Sequence, residues 1–133
     1  MSKTIVLKNT HLTVWIHPET KIVHHRFNKF THGEAFRKGL KSGLAVMKKY
    51  KAQKWLSDDR KNSALPREDL EWARTEWGPA AIKAGWKHWA IVLPINIIGQ
   101  MNLKKCIEIY TEMGLNVQAF SDPDEALEWI EQQ

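Results

Sequence analysis

The chain has 133 residues, of which 43% are hydrophobic and 26% are charged, and this balance indicates one soluble globular domain over residues 1–133. No apolar run approaches the ~18 residues of a membrane span, and the N-terminus lacks the features of a signal peptide. The single cysteine excludes a disulfide framework. We therefore expect a cytoplasmic protein. The net charge of +5 does not predict nucleic-acid binding, because the densest basic cluster, formed by Lys48, Lys49, Lys51 and Lys54, lies at a predicted helix end, where cations complement the macrodipole.

The N-terminal part of the chain predicts one strand followed by a β-hairpin. Residues 4–7 form a short apolar run, which favours a first strand. Two alternating segments then flank the turn chemistry at Pro18. If Pro18 lies opposite Lys21, one face of the hairpin carries Leu12, Val14, Ile16, Val23, His25 and Phe27, and the other carries Thr13, Trp15, His17, Ile22, His24 and Arg26.

A helix is predicted from about residue 31 to residue 50. Thr31 and Glu34 have the spacing of a capping box, which would start the helix. Apolar residues recur every three or four positions along it, at Phe36, Leu40, Leu44 and Met47. Gly39 and Gly43 flank that stripe, and the lack of a side chain there allows a close approach to the sheet.

Residues 53–94 predict a strand, a crossover helix and a second strand, which together form a parallel βαβ unit. The strands cover residues 54–58 and 89–93, and the second is apolar almost throughout, as in a central parallel strand. Pro66 suits the first turn of the helix and Gly85 its C-terminal cap. Pro79 is expected to kink or restart the helix, because its ring clashes with the preceding turn.

The C-terminal third predicts a further helix, a short strand at residues 116–120 and a terminal helix capped from Asp122. The first of these helices ends at Gly114 and is expected to bury Leu103, Cys106, Ile107, Tyr110 and Met113. The whole order is βββαβαβαβα. It predicts an α/β fold in which a mixed sheet joins an N-terminal antiparallel hairpin to parallel βαβ units, with helices mainly on one face.

This order, with a hairpin first and α/β units after it, resembles the STAS domain, the fold of bacterial anti-sigma-factor antagonists such as the sporulation anti-anti-sigma factor. The likeness is nearest to the small stand-alone STAS/SEC14-domain proteins. It is carried by KWLSDDR at residues 54–60, PREDLEW at 66–72, WGPAAIKAG at 77–85, AIVLP at 90–94 and DEALEWI at 124–130. The resemblance implies a regulatory or protein-interaction domain without catalytic activity.

In the regulatory members of that superfamily a kinase phosphorylates a serine at the N-terminus of the helix after the crossover strand. A helix N-terminus suits a phosphate, because its free N–H groups and its dipole favour negative charge. The nearest hydroxyl here is that of Ser63, but no Asp precedes it and no Gly follows it. The family's pattern is therefore absent, and the alternative is a solvated loop serine.

The carboxyl end of the first parallel strand carries Asp58, Asp59 and Arg60, where sites of open α/β sheets tend to lie. Adjacent strand residues point to opposite faces, so the two aspartates are not expected to form a catalytic dyad. Either they and Arg60 hold a polar ligand or partner, or Asp58 binds loop amides while Arg60 pairs with a helix carboxylate.

Neither the histidines nor the cysteine predicts a catalytic or metal site. His11, His17 and His24 could share one face of the hairpin, but no cysteine or carboxylate completes a zinc set. We therefore predict no metal and no cofactor. Cys106 occurs at helical core spacing, which favours a packing role over that of a nucleophile.

Seven tryptophans are the anomaly of this composition. They either all pack inside the fold or form a contact or ligand surface, because Trp is enriched at binding hot spots. We predict a non-catalytic domain that binds a protein partner or a second copy of itself. The predicted contact site comprises Asp58, Asp59, Arg60, Asn62, Ser63, Trp72 and Trp77.

The competing prediction is a protein that binds a lipid or another small apolar ligand, in the sense of SEC14-like carriers. It requires an enclosed cavity, which we expect to be lined by residues such as Trp72, Trp77 and Ile98. Gln100 and Met101 would form a lid over it.

Overall fold

The computed structural model describes residues 2–133. It contains one six-stranded sheet with the strands in sequence order, β1-β2-β3-β4-β5-β6, and four helices. The strands are β1 (Thr4–Lys8), β2 (Leu12–His17), β3 (Ile22–Phe27), β4 (Lys54–Asp58), β5 (His88–Val92) and β6 (Asn116–Phe120). The helices are α1 (Gly33–Tyr50), α2 (residues 67–83), α3 (Ile97–Glu112) and α4 (Pro123–Glu131).

The sheet is antiparallel in its first half and parallel in its second, as the sequence predicts. In the hairpin Leu12 pairs with Phe27 and Ile16 with Val23, so the predicted register and the predicted division between its faces are confirmed. From β3 onward each neighbouring pair of strands is parallel, and Trp55 of β4 lies beside Trp89 of β5. The βαβ unit is therefore confirmed.

Three of the four helices pack on one face of the sheet. From β3 onward each new strand is added at the same edge of the sheet, and crossover connections between parallel strands are right-handed. The three crossover helices α1, α2 and α3 therefore lie on the same face. Their side chains share a core with one face of the strands, including Leu12, Val14, Ile16, Val23, Trp55, Phe36, Leu40, Met47, Trp77 and Tyr110. Helix α4 covers the opposite face of β4 and β5 through Ala126 and Ile130, which pack with Leu56, Ala90 and Val92.

The start of α1 differs from the predicted capping box. The N-cap residue is His32, and no side chain at that position caps the helix. Instead the Gly33 N–H donates to Oδ2 of Asp69 in α2, at 2.7 Å. The single hydroxyl proton of Thr31 is shared between the carbonyl oxygens of Lys29, at 2.9 Å, and His11, at 3.2 Å. Because a carboxylate from another helix caps α1, the local spacing of Thr31 and Glu34 gave the wrong prediction.

Helix α2 continues through Pro79 by widening one turn. It consists of an α-helical part (Arg67–Trp72), a π-helical turn (Ala73–Trp77) and a second α-helical part (Gly78–Lys83). The Gly78 N–H donates to the carbonyl oxygen of Ala73, five residues earlier. This wide turn immediately precedes Pro79, which has no N–H to donate. Gly85, with φ +119°, then ends the helix as predicted.

Helix α3 buries one side chain fewer than predicted. Leu103, Cys106, Ile107 and Tyr110 pack against the core, whereas Met113 is 39% exposed, so its predicted burial is wrong. Met113 is the C-cap residue that follows the last helical residue, Glu112, and it precedes Gly114, whose φ of +103° ends the helix. Within residues 2–133, none of the helices has the length and apolar character needed to cross a membrane.

Candidate ligand-binding site

A cavity of about 240 Å³ lies between the sheet and helices α2 and α3. Its floor is the helix-covered face of β3, β4 and β5, near the carboxyl ends of these parallel strands, and its walls are the two helices. The lining is formed mainly by apolar and aromatic side chains, among them Phe27, Phe36, Leu40, Trp55, Leu70, Trp77, Trp86, Trp89, Leu103, Ile109 and Tyr110. Such a concave, largely apolar space with a few polar groups is the usual form of a small-molecule site.

Four tryptophans of this lining form a connected cluster of rings. Trp86 occupies its centre, with ring centroids 5.2 to 6.2 Å from those of Trp55, Trp77 and Trp89. Each indole N–H is already used inside the fold. The acceptors are His25 for Trp55, the Leu40 carbonyl for Trp77, the His88 carbonyl for Trp86 and the Ser57 hydroxyl for Trp89. The cluster therefore offers ring surface to the cavity but no indole donor.

The polar end of the cavity is built around His25 and Asp59. Trp55 donates its indole N–H to Nδ1 of His25 at 2.9 Å, and Nε2 of His25 lies 3.0 Å from Oδ1 of Asp59. An indole nitrogen can only donate, so Nδ1 is the unprotonated nitrogen and Nε2 carries the proton that Asp59 accepts. This arrangement fixes both the tautomer and the orientation of the imidazole ring.

Ser57 lies beside His25 on the neighbouring strand, but the two do not form a nucleophile and base. The strands are in register at this pair. Both nitrogens of His25 are occupied by other partners, and Oγ of Ser57 accepts the Trp89 N–H at 2.8 Å. A catalytic serine needs a histidine nitrogen free to take its proton. Ser57, His25 and Asp59 thus have the composition of a catalytic triad but not its hydrogen bonding.

The reactive groups on the α3 wall are held in their neutral forms. Burial, followed by the nearby Asp59 carboxylate, raises the pKa of the Cys106 thiol to about 11. Burial also raises the pKa of Tyr110, whose hydroxyl donates to the carbonyl oxygen of Ala73 at 3.0 Å. At neutral pH Cys106 is a thiol, which is a poor nucleophile compared with a thiolate.

The cavity opens to solvent between α2 and α3. The exposed members of its lining are Glu71 and Arg74 on α2 and Lys105 and Ile109 on α3. Arg74 and Glu71 form an ion pair at 2.6 Å along this rim. The Tyr110 hydroxyl bridges the two helices at one end of the opening.

An exposed apolar cluster lies next to this opening, at the start of α3. Ile95, Ile97, Ile98 and Met101 are between 61% and 77% exposed. Gly99, within this segment, lines the cavity and packs on Pro94 and the backbone of Ser63. The amide of Gln100 donates to the Pro94 carbonyl oxygen at 2.8 Å and ties the segment to the end of β5.

The predicted site residues Asp58, Asp59 and Arg60 divide between the two faces of the sheet. Asp59 lines the cavity. Asp58 is buried on the opposite face and accepts two hydrogen bonds from the Arg60 guanidinium, at 2.9 and 2.7 Å. That hydrogen bonding raises the pKa of Arg60. Arg60 thus pairs with Asp58 rather than with a helix carboxylate.

The remaining predicted residues lie in and around the same cavity. Asn62 is buried and accepts the Thr31 N–H at 3.0 Å, and Ser63 is partly exposed at the lining. Trp77 is part of the lining, whereas Trp72 packs edge-on against Phe36 and beneath Arg37 outside it. Ile98, expected in the lining, is 61% exposed.

Sequence reasoning missed His25 and Trp86 as members of the site. His25 falls between Val23 and Phe27 on the apolar face of the predicted hairpin, and a polar residue in that position was a usable signal. Trp86 follows Gly85 in a connection with no periodicity, so nothing local indicated its burial. Its ring packs against rings from four separate elements, β4, α2, β5 and α3.

Two other histidines interact on the opposite face of the hairpin. Nε2 of His17 lies 3.0 Å from Nδ1 of His24. Desolvation, with smaller effects of the surrounding cations, lowers the pKa of His24 well below its usual value. Within residues 2–133, no group of three or more His, Cys, Asp or Glu side chains is arranged to hold a metal ion.

Comparisons with protein-family models, with curated proteins and with solved structures found no match to this chain.

Proposed function

We propose that this protein binds a small apolar ligand in the cavity between the sheet and helices α2 and α3. The observation that carries the proposal is the cavity itself, a solvent-accessible space of about 240 Å³ walled by four tryptophans whose N–H groups are already bonded. Native cores are normally packed to the density of organic crystals, with few voids larger than a water molecule. A space of this size and lining is therefore better explained by an occupant than by imperfect packing.

The volume limits the ligand to a small molecule. A dry engineered cavity of roughly 150 Å³ accepts benzene, so 240 Å³ suits a body somewhat larger than one aromatic ring, such as a fused bicycle or a short alkyl chain. A full-length diacyl lipid would need a larger space. The resemblance to the STAS/SEC14-domain proteins supports such a binding role, and membership of that superfamily remains part of the proposal.

We propose binding without catalysis. Both nitrogens of His25 are engaged, Ser57 accepts from Trp89, and Cys106 is held as a thiol. A reaction at this site would need a base or nucleophile that none of these three groups supplies in this arrangement.

A direct test is isothermal titration with naphthalene-based compounds, together with native mass spectrometry of the purified protein. Ala73→Phe would fill part of the cavity from the α2 wall and is expected to weaken binding by about tenfold or more. Ala45→Phe, at an exposed position of α1, is the matched control and should bind as the wild type does. Equal affinity in the folded Ala73→Phe variant would contradict the proposal.

A second candidate function is contact with a protein partner, and the cluster of Ile95, Ile97, Ile98 and Met101 favours it. Exposed apolar patches of this kind mark interaction sites. The segment from residue 93 to residue 107 also carries Lys104 and Lys105 and no carboxylate. A partner with an apolar centre and an acidic rim fits that surface better than a second copy, because a symmetric dimer would place these lysines near one another.

Self-association provides the test that separates these two partners. We expect size-exclusion chromatography with light scattering to give a monomer for the wild type at low salt, as for the double variant Ile97→Asp, Ile98→Asp. A dimer that the double variant abolishes would contradict the acidic partner and support homodimerisation through this cluster.

A further inference from the structure

We infer that the ligand of the cavity carries a hydrogen-bond donor, an ammonium or hydroxyl group, that binds Asp59 at the polar end, while its apolar body lies among the tryptophans. This inference rests on the proposed ligand-binding function and specifies the chemical class of the ligand. It follows from which donors and acceptors the fold has left available inside the cavity.

Six donors of the lining are engaged inside the fold, whereas Ser57, Asn62 and Asn102 only accept hydrogen bonds there. The four indole N–H groups bond to His25, Ser57 and two backbone carbonyls. The Nε2–H of His25 points to Asp59, and the hydroxyl of Tyr110 donates to Ala73. A ligand rich in acceptors, such as a carboxylic acid, therefore finds no partner among the six engaged donors, and the donors left to it away from the rim are neutral groups such as the Ser57 hydroxyl and the Asn62 amide.

Asp59 supplies the opposite chemistry. Its side chain lines the cavity, is 12% exposed, and accepts one hydrogen bond, from His25 through Oδ1. A carboxylate has about four lone-pair sites on its two oxygens, so it has capacity for a donor from the ligand. A hydrogen bond to a charged acceptor is also stronger than a neutral one.

The charge of Asp59 and the aromatic rings of the lining distinguish an ammonium from a carboxylate head group. An anionic head group beside Asp59 would be repelled in a poorly hydrated site. A cation is attracted both by the carboxylate and by the faces of neighbouring aromatic rings. The cations of the lining, Arg74 and Lys105, lie on the exposed rim, and Arg74 is already paired with Glu71. They can attract an anion to the opening but do not neutralise Asp59 at the polar end.

The experiment is a titration calorimetry series on the full chain with four compounds that share one body: 2-naphthylmethylamine, 2-naphthalenemethanol, 2-methylnaphthalene and 2-naphthoate. We expect the amine to bind tightest and the alcohol next, and the amine to exceed the carboxylate by about tenfold or more. Failure of all four to bind would overturn the proposed function. Binding of the carboxylate as tightly as the amine would leave that function standing and overturn this inference.

A charge-removing variant tests the role of Asp59 directly. Asp59→Asn keeps an acceptor oxygen for the Nε2–H of His25 but removes the charge, so the preference for the amine over the carboxylate should fall by about tenfold. Asp58→Asn makes the same change on the opposite face of β4 and is expected to leave the preference unchanged. An equal effect of both variants would contradict direct contact with Asp59. If Asp59→Asn does not fold, the wild-type series still decides the inference.

Discussion

The six-membered ring of Trp55 lies directly on the backbone of Gly43. A Cβ placed on that glycine would overlap the ring, with Cζ2 and Cζ3 of Trp55 each at 2.8 Å. Trp55 is 1% exposed and is held at its other end by the hydrogen bond to His25. Because Gly43 has no side chain, Trp55 packs directly on the backbone of α1. The position of Trp55 in turn fixes that of the His25 imidazole in the cavity, through the hydrogen bond between them.

Gly43→Ala is expected to destabilise the protein by about 1–3 kcal/mol, because the added methyl group overpacks a rigid, buried ring. The sign of this change in stability is informative, since alanine is otherwise favoured over glycine in a helix by up to ~1 kcal/mol. Urea unfolding followed by circular dichroism measures the change. Ser42→Ala, one position earlier on the same helix, is the control and should be nearly neutral. A stabilised Gly43→Ala variant would show that Trp55 can move aside.

Asp69→Ala should cost about 1–3 kcal/mol of unfolding free energy, because it leaves the Gly33 N–H at the start of α1 without its acceptor. Asp69 is 2% exposed and also accepts from Nε of Arg37 at 3.3 Å. Arg37→Ala, which removes the second contact and keeps the cap, is expected to cost less than half as much, since the arginine is partly solvated. Equal losses in the two variants would assign the stability to the ion pair instead of the cap.

The contact between Gly33 and Asp69 illustrates what the local sequence could and could not predict. The hairpin register, the parallel βαβ unit and the helix ends at Gly85 and Gly114 follow from periodicity and from backbone constraints within a few residues. The cap of α1 does not, because Asp69 lies 36 residues from Gly33. The spacing of Thr31 and Glu34 favoured a local capping box, but in the folded protein the Asp69 carboxylate of α2 caps the helix instead.

The cavity was predictable only in outline. The alternation along β4 placed Trp55 and Ser57 on one face and Asp58 on the other, as the structure has them. The pairing of His25 with Asp59 joins strand β3 to the residue that follows β4, at a separation of 34 residues. Trp86 lies in a short connection between α2 and β5. The volume of the cavity depends on the distance between α2 and α3. That distance is set by tertiary packing and cannot be predicted from the sequence of either helix.

The two histidines on the hairpin face opposite the cavity, His17 and His24, predict a loss of stability in mild acid. Desolvation, followed by His17, Lys3, His25 and Arg26, lowers the pKa of His24 in the folded state. Below its usual pKa near 6.5, the unfolded chain therefore binds a proton that the folded chain does not, and stability falls as the pH falls. His24 alone contributes a slope of at most about 1.4 kcal/mol per pH unit. Urea unfolding between pH 7.5 and pH 5 measures it.

The matched control for this pH dependence is His24→Gln, which cannot be protonated in this range. We expect the variant to have a shallower slope between pH 6.5 and pH 5 than the wild type. Some dependence should remain, because burial and Lys3 also lower the pKa of His17. An unchanged slope in His24→Gln would assign the acid sensitivity to other groups.

Cys106 provides a chemical probe of the cavity wall. Burial raises its pKa to about 11 from the ordinary thiol value of 9.0, so its thiolate fraction at pH 8 is roughly a hundredfold below that of an unburied thiol. Because the thiolate is the nucleophile, alkylation by iodoacetamide should be slowed at least in that proportion. Intact-mass spectrometry over time, with the same chain in urea as the reference, gives both rates.

The pH dependence of that alkylation separates a raised pKa from simple shielding. With a pKa of about 11, the rate in the folded protein should keep rising by about tenfold per pH unit up to pH 10. In urea it should level off above pH 9. If the folded protein also levelled off at pH 9, the slow reaction would reflect restricted access to an ordinary thiol. Addition of 2-naphthylmethylamine is expected to slow the reaction further, because the ligand would occupy the space that Cys106 lines.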